Sequence, residues 1–442
     1  MATLAPLCAA CALAALGVAI PRSTQKGSPR SDNALSSSAR AMSRASSQNS
    51  PFVVGSGALT VAGTGSARFS GDGGKASSAE IDAPGGLVED RQGDLFIADT
   101  GDCRVREVPS HSGSQFSMAM DAGHIYTVAG GACGTNSDHI GFVSSVAVDS
   151  YGDLFMADPT DDTVSELPAT NGEHLGIDTS IGKLTVVAGT GRAGATGEGK
   201  PAVTAELDDP QGVGVDAQGD LMIADTANCE VREVAARDGQ QWGIPMHAGD
   251  IYRIAGTGQC GQVGDGGSWT SAELWDPVAV ATGPAGDVVV SDAGAEEVLD
   301  LAPRTGDYYG VPIRVDHLAV VAGVGFYSPY LVDGLPAAGQ TAGLDSPSDV
   351  AVTSSGDLLI SDTYSDCIRE VPTRSESELG VKITPGNMYT LAGAVPTGPG
   401  GDSTNWVGPH MLYPVGIAVA PDGSVLFSDQ GANVVRELTV SG

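Results

Sequence analysis

The stretch GDLFIADTGDCRVREV, residues 93–108, decides the fold of this 442-residue chain. Altered copies of its first seven residues recur as GDLFMAD from 152, GDLMIAD from 219, GDVVVSD from 286, GDLLISD from 356 and GSVLFSD from 423. Each copy is preceded by a run of the PQGVGVD type, the first five are followed by a run of the IYRIAG type, and a sixth such run, LTVAG, stands ahead of the first copy at 59–63. The chain is therefore one supersecondary unit repeated six times.

Each unit holds four short runs rich in Val, Ile, Leu and aromatic residues, separated by Gly and Asp turns and without a sustained helical period. We name them strands a to d, after PQGVGVD, GDLMIAD, EVREV and IYRIAG in the third unit. Such repeats predict an all-β fold, a six-bladed β-propeller with four-stranded blades. The series opens with a d strand at 59–63 and ends a-b-c, so we expect this N-terminal strand to close the last blade.

The segment GDGGKASSAEIDAPGGLVEDRQGDLFIADTGDCRVREV, residues 71–108, resembles the NHL-repeat family in the long-unit form common in bacterial secreted proteins. The resemblance extends over residues 57–442 and implies a propeller. It implies no single function, because propellers of this kind serve as binding platforms and as several unrelated enzymes.

The first 50 residues are unlike the repeats. Residues 1–20 form an apolar run with small residues near its end, which indicates a signal peptide or a membrane anchor, although no Lys or Arg precedes it. Residues 21–50 are Ser-rich, with five basic residues and one acid, and are predicted to be a disordered linker. We expect the propeller over 51–442 and an extracellular or cell-surface location, with membrane contact only through residues 1–20 if they are not cleaved.

The chain is strongly acidic, with 22 basic and 54 acidic residues and a net charge of -32. Without the five basic residues and one acid of residues 21–50, 17 basic and 53 acidic residues remain, a net charge of -36. A phosphate backbone would be repelled by this charge, so nucleic acid is not expected as a partner.

Five cysteines lie within the repeats. Cys103, Cys229 and Cys367 are assigned to one equivalent place in the turn between strands b and c, and Cys133 and Cys260 lie just past strand d. In an antiparallel blade the end of d lies beside the start of c, so disulfides Cys103–Cys133 and Cys229–Cys260 are predicted. Such bridges fit an oxidising compartment. Cys367 has no counterpart and is expected to be a free thiol or an intermolecular link.

Acidic residues recur at two places. Each strand b ends in an Asp that is expected to accept hydrogen bonds from the following turn: Asp99, Asp158, Asp225, Asp292, Asp362 and Asp429. A GDGG-type turn carries Asp72, Glu198, Asp265, Asp333 and Asp402. The acids of the GDGG-type turns could hold Ca²⁺. Each turn supplies only one carboxylate, however, whereas calcium takes six to eight oxygen ligands, so a structural role within the turn is favoured.

The links between strands c and d are long, and each has a bulky residue near its middle: Phe116, Leu175, Trp242, Tyr309 and Leu379. We interpret them as hairpins whose bulky residues pack on the outer strands, with a partner-binding fringe as the less favoured alternative.

The candidate metal site lies four residues before strand a. The series there reads Glu80, His139, Glu206, Glu273, Gly343 and His410, each just ahead of a buried apolar anchor. Because d to a loops approach the channel mouth of a propeller, the two imidazoles and three carboxylates could converge on a divalent metal, zinc or calcium. The side chains of these residues could instead point away from the axis. The other histidines, including His111 and His174 in the c to d links, are not favoured.

Two functions remain open. The favoured one is a secreted or surface-tethered binding platform for an extracellular protein, peptide or glycan. The alternative is an axial-site, metal-dependent enzyme similar to six-bladed lyases or lactonases, but beyond His139 and His410 no residue matches their sites.

Overall fold

The computed structural model describes residues 58–131, 133, 140–325, 332–339, 342–375, 377–378, 381–395, 405–407 and 410–438. Over these residues the chain is a six-bladed β-propeller, as the repeats predict. In each blade the strands lie in the order a-b-c-d from the axis outward, all antiparallel. Asp402 of the last GDGG-type turn and Leu379, the bulky residue of the last c to d link, lie outside the described residues.

Strand a lines the axis in every blade: Pro84–Glu89, Ser145–Val148, Pro210–Val215, Pro277–Thr282, Pro347–Val352 and Pro414–Val419. Strand b follows: Leu95–Asp99, Leu154–Asp158, Leu221–Asp225, Val288–Asp292, Leu358–Asp362 and Val425–Asp429. Strand c is next: Arg104–Val108, Thr163–Leu167, Glu230–Val234, Glu297–Leu301, Cys367–Val371 and Val434–Leu438. Strand d is outermost in blades one to five: His124–Gly130, Thr185–Ala188, Asp250–Ala255, Leu318–Gly323 and Asn387–Val395. Strand b is buried on both faces, which explains its continuous apolar sequence.

The N-terminal strand closes the ring. Leu59–Ala62 pairs antiparallel with Val434–Leu438 and supplies strand d of blade six, with Leu59 opposite Glu437. The link that enters blades one, three and five adds a short fifth strand to the outer edge: Gly74–Lys75, Lys200–Pro201 and Leu335–Pro336. In blade five, Asn405–Val407 also pairs with strand d. Closure and these added strands cover edges that could otherwise pair with another chain.

The GDGG-type acids fasten the links that carry them to the blades that these links enter. Asp265 accepts the backbone N–H of Val320 in strand d of blade four at 2.9 Å. Asp333 accepts the N–H of Thr390 in blade five at 2.9 Å. These hydrogen bonds agree with the structural role that the sequence favours for these acids.

Both predicted disulfides are present, Cys103–Cys133 and Cys229–Cys260. The equivalence of Cys367 with Cys103 and Cys229 was wrong by one residue. Cys103 and Cys229 adopt a left-handed conformation at the end of the short 3-10 turns Thr100–Asp102 and Thr226–Asn228. Asp366 holds that position in blade five, and Cys367 begins strand c as a buried free thiol.

The links between strands c and d form two-stranded hairpins, and four of them are described together with their bulky residue: Gly113–Gln115 with Met118–Met120, Gly172–His174 with Ile177–Thr179, Gly239–Gln241 with Ile244–Met246, and Gly306–Tyr308 with Val311–Ile313. Phe116, Leu175 and Tyr309 are buried, as the packing interpretation predicts. Phe116 packs on Phe96 of its own blade and in a cluster with Leu154 of blade two. The hairpins therefore join neighbouring blades as well as covering their own.

A buried carboxyl group lies under each described hairpin, and Glu233 in strand c is fully buried. Burial, together with the charges of Asp220 and Asp216, raises the pKa of Glu233 to about 8, against the lowering effect of a hydrogen bond from the Trp242 indole. In the unfolded chain a Glu titrates at about 4.3. As pH rises from about 4 to 8, the unfolded chain releases a proton that the folded protein retains, so the free energy of unfolding falls.

Replacing Glu233 with Gln is expected to stabilise the protein at pH 8 and to lose this benefit towards pH 4.5. The amide is neutral at every pH and keeps an oxygen for the Trp242 N–H, and each unit of pKa shift corresponds to about 1.4 kcal/mol, so a gain of at least about 1.4 kcal/mol is expected at pH 8. Urea unfolding at both pH values measures it. Glu437→Gln, at the equivalent but partly exposed position of blade six, is the control. An equal gain in both variants would contradict the burial argument.

Candidate functional site: the rim where strands a begin

The face of the ring at which strands a begin carries a set of residues that we call the rim pairs. They are the two residues that directly follow each apolar anchor, ahead of strand a: Asp82–Ala83, Gly141–Phe142, Asp208–Asp209, Trp275–Asp276, Asp345–Ser346 and Leu412–Tyr413. The anchors before them, such as Ile81 and Met411, are fully buried. The rim pairs therefore stand at the axis on a rigid base.

The Asp that ends strand b holds the rim pair of its own blade. In all six blades the first rim residue donates its backbone N–H to this carboxylate, as Asp82 does to Asp99 at 2.7 Å and Leu412 to Asp429 at 2.7 Å. The predicted bonds to the following turn are present in several blades as well. Asp158 accepts the backbone N–H groups of Thr160 and Asp161, and Asp292 accepts that of Ala295. Asp225 and Asp362 accept hydrogen bonds from the turn side chains of Asn228 and Ser365.

A second contact fastens four rim pairs to the preceding blade. The residue in the left-handed position after strand b accepts the N–H of the second rim residue: Asn433 from Ala83, Asp162 from Asp209, Glu296 from Ser346 and Asp366 from Tyr413. Cys103 and Cys229 occupy this position in blades one and three. The disulfides thus occur in the two blades that lack this side-chain clasp.

The rim pairs of blades four and six present apolar side chains. Trp275, Leu412 and Tyr413 are 47%, 51% and 45% exposed. Tyr364, in the b to c turn of blade five, packs edge-on against Tyr413 with ring centroids 5.7 Å apart. The Trp275 ring covers Gly294 so closely that a Cβ there would lie 3.0 Å from the indole. This aromatic arc leaves large rings exposed although their backbone is fixed.

The rim pairs of blades one and three carry the carboxylates Asp82, Asp208 and Asp209, and Asp162 of the b to c turn of blade two lies beside Asp209. Burial raises the pKa of Asp82, and burial together with the charge of Asp82 raises that of Asp102 in the adjacent turn. Burial, followed by the charge of Asp208, likewise raises the pKa of Asp162. This acidic arc offers hydrogen-bond acceptors to a ligand and attracts cations.

The structure describes four of the five predicted metal residues, and His139 lies outside the described residues. The Glu206 carboxylate accepts a hydrogen bond from Thr196 in its own link, and the backbone carbonyls of Glu80 and Glu206 accept bonds from Arg106 and Arg232. Both arginines lie in strand c, so the backbones of these two glutamates are tied to strand c of their own blades. Glu273 is half-buried and His410 exposed. The complete set stays a prediction.

A different group of potential metal ligands comes together in the described part of the chain: Asp153, Glu166 and His174. It lies on the opposite face, under the hairpin of blade two. His174 was not favoured from sequence, because the sequence shows only its place in a c to d link. The signal that would have found it is the alignment of the hairpins, in which His174 replaces Gln115 and Gln241.

The rim pairs also escaped prediction, because the candidate metal residues lie one residue before the apolar anchor and the rim pairs lie after it. Their signal was the difference in residue type between blades, from Asp82 and Asp208–Asp209 to Trp275 and Leu412–Tyr413. Positions that differ between otherwise regular repeats are where a function is expected.

The ring and its rim define the chain as a six-bladed propeller, and the solved structures similar to it are propeller proteins. An auxiliary nutrient binding protein from Bacteroides thetaiotaomicron VPI-5482 has 13% identity and a TM-score of 0.54, over 86% of this chain and 76% of that one. An auxiliary nutrient binding protein from Bacteroides ovatus ATCC 8483 has 13% identity and a TM-score of 0.53, over 87% and 77%. At these identities the likeness shows the fold alone.

No protein-family profile and no curated protein matches the chain, so membership of the NHL-repeat family stays a prediction. A gluconolactonase from Xanthomonas campestris aligns at 14% identity over 82% of this chain and 87% of its own, with a TM-score of 0.46, which is too low to support an argument. Across the described residues, no helix is long and apolar enough to cross a membrane.

Proposed function

We propose that the protein is an extracellular binding propeller that holds a neutral glycan across its rim. The observation that carries the proposal is the aromatic arc, in which Trp275, Tyr364 and Tyr413 are exposed on a backbone fixed by buried carboxylates. Exposed aromatic rings on a rigid scaffold are typical of binding sites, since they bury much area at little entropic cost. The apolar faces of sugar rings stack on such side chains.

The acidic arc supports the choice of a neutral ligand. Carboxylates such as Asp82 and Asp208 accept hydrogen bonds from hydroxyl groups, and the net charge of the propeller repels anionic glycans. The two similar Bacteroides propellers are nutrient binding proteins, and two disulfides agree with an oxidising, extracellular setting. A basic peptide is the second candidate, because the same carboxylates would attract it.

Trp275→Ala and Tyr413→Ala are each expected to weaken ligand binding at least about fivefold, because each removes an aromatic contact that is worth about 1–2 kcal/mol or more in a binding site. The measurement is a screen of neutral oligosaccharides and basic peptides, followed by titration of the strongest binder at low and high salt. Salt-independent binding identifies a glycan, and binding that weakens with salt identifies a basic peptide. Tyr151→Ala is the control, since Tyr151 is 73% exposed in the a to b turn on the opposite face.

Equal affinity in the wild type and both rim variants would contradict the rim as the binding surface. The lyase or lactonase alternative depends on the axial set and is tested separately. Transition metal that is lost in His139→Ala/His410→Ala would favour it, and turnover of lactone substrates would then be measured.

A further inference from the structure

A buried pair of carboxyl groups recurs under the hairpins of blades one to three. Each pair joins the Asp before strand b to the Glu of strand c: Asp94 with Glu107, Asp153 with Glu166, and Asp220 with Glu233. In every case the last residue of the first hairpin strand places a side-chain nitrogen within hydrogen-bond distance of the pair.

In two of the blades this nitrogen belongs to a glutamine. The Gln115 amide, oriented with its nitrogen towards the pair, lies 3.1 Å from Asp94 Oδ2 and 3.1 Å from Glu107 Oε1. In blade three, Gln241 Nε2 donates to Asp220 Oδ2 at 2.8 Å, and the Trp242 indole donates to Glu233. An amide nitrogen is a hydrogen-bond donor and does not ligate metals, so these two blades are satisfied by hydrogen bonds.

In blade two the glutamine is replaced by His174, which can ligate a metal. His174 Nδ1 lies 2.6 Å from Glu166 Oε1 and 3.1 Å from Asp153 Oδ2, and the three ligand atoms lie within 4.8 Å of one another. Zinc bonds of about 2.0–2.1 Å place the ligand atoms of a tetrahedral site roughly 3.3 Å apart. A small side-chain adjustment therefore suffices to admit the ion.

The charge and burial of these side chains favour a bound cation. Glu166 is fully buried, and within the described residues its Oε2 has no hydrogen-bond partner. The Asp153 side chain is 1% exposed, and in the same part of the chain no Lys or Arg forms an ion pair with either carboxylate. The negative charge of Asp149 also acts on His174. Two buried carboxylates with one imidazole leave an excess of negative charge that a dication would neutralise.

We propose that Asp153, Glu166 and His174 bind one divalent transition-metal ion under the hairpin of blade two, with zinc as the ion that fits best. One imidazole and two carboxylates suit zinc, whereas calcium prefers oxygen ligands in greater number. His174 is 19% exposed, so the fourth position is open to a water molecule. Binding would release the proton held between Nδ1 and Glu166 and fix the hairpin to its blade.

Zinc titration of the EDTA-stripped full chain, by calorimetry with elemental mass spectrometry, tests the proposal. The wild type is expected to bind one zinc per chain and to melt at a higher temperature with it. His174→Gln, which installs the residue found in blades one and three, should keep the melting temperature of the metal-free protein and weaken zinc binding on the order of 100-fold or more. Gln115→His, which completes the same triad in blade one, should bind a second zinc.

His139→Ala/His410→Ala separates this site from the axial set and is expected to retain the zinc. The proposal is overturned if the wild type binds no zinc, or if His174→Gln binds it as tightly as the wild type. Gln115→His without a second zinc would overturn the geometric argument. Each of these results is independent of ligand binding at the rim.

Discussion

Arg106→Met is expected to lower the free energy of unfolding by about 3–5 kcal/mol, the cost of removing one partner from a buried ion pair. Arg106 lies in strand c of blade one with no exposed side-chain surface. Its guanidinium lies 3.1 Å from Asp99 Oδ2 and 2.7 Å from Asp72 Oδ1, and it donates to the Ser70 carbonyl at 3.2 Å. Methionine fills much of the volume but leaves the buried Asp99 without its cation.

The loss of stability should extend to the rim, because Asp99 accepts a hydrogen bond from the backbone N–H of Asp82. Burial raises the pKa of Asp99 to about 6 despite the lowering effect of Arg106, so this carboxylate depends on every partner it has. Urea unfolding of the variant at pH 7 measures the change. Asp99→Asn/Arg106→Met should recover part of the stability, since no uncompensated charge is then buried.

The chain supplies a matched control in blade six. Arg436 occupies the equivalent place and contacts Asp429 at 2.7 Å, but its side chain is 20% exposed. Arg436→Met should cost less, since Asp429 can then be approached by water. Equal losses in the two variants would show that burial is not the cause.

Removal of the disulfide by Cys229→Ser/Cys260→Ser is expected to cost about 3–4 kcal/mol in the chain-entropy model, because the bridge closes a loop with a sequence separation of 31. The structure adds a second reason. Blade three has Cys229 where other blades have a side-chain oxygen that clasps the next rim pair. Without the bridge, this turn would lose the bond that ties it to the end of strand d.

Urea unfolding of the oxidised wild type, the double variant and the reduced wild type measures the effect. Cys103→Ser/Cys133→Ser should behave alike, since its separation is 30. Cys367→Ala is the control for loss of a sulfur without loss of a bridge, because Cys367 is a free thiol. A double variant as stable as the wild type would contradict the entropic argument.

The Arg106 and Cys229 sites illustrate how far prediction from sequence could go. The disulfide follows from two spacings in a known strand order, so Cys229 and Cys260 could be paired without coordinates. The partners of Arg106 could not be predicted, because Asp72 and Asp99 belong to different segments that meet only when the link crosses the blade. For Cys367 the prediction from spacing failed. Cys367 lies one residue later in its blade than Cys103 and Cys229 do in theirs, so Asp366 takes the left-handed position and Cys367 is the first residue of strand c.

The sequence by itself determined the six blades, their strand order, ring closure by Leu59–Ala62 and both disulfides. Those features follow from local periodicity and turn chemistry, which repeat with the unit and need no knowledge of its neighbours. Only the tertiary structure decided that strand-b carboxylates hold the rim, that the carbonyls of Glu80 and Glu206 accept bonds from strand c arginines, and that His174 meets Asp153 and Glu166. These contacts depend on the path of a link across a blade and on side-chain direction, which spacing along the chain does not specify.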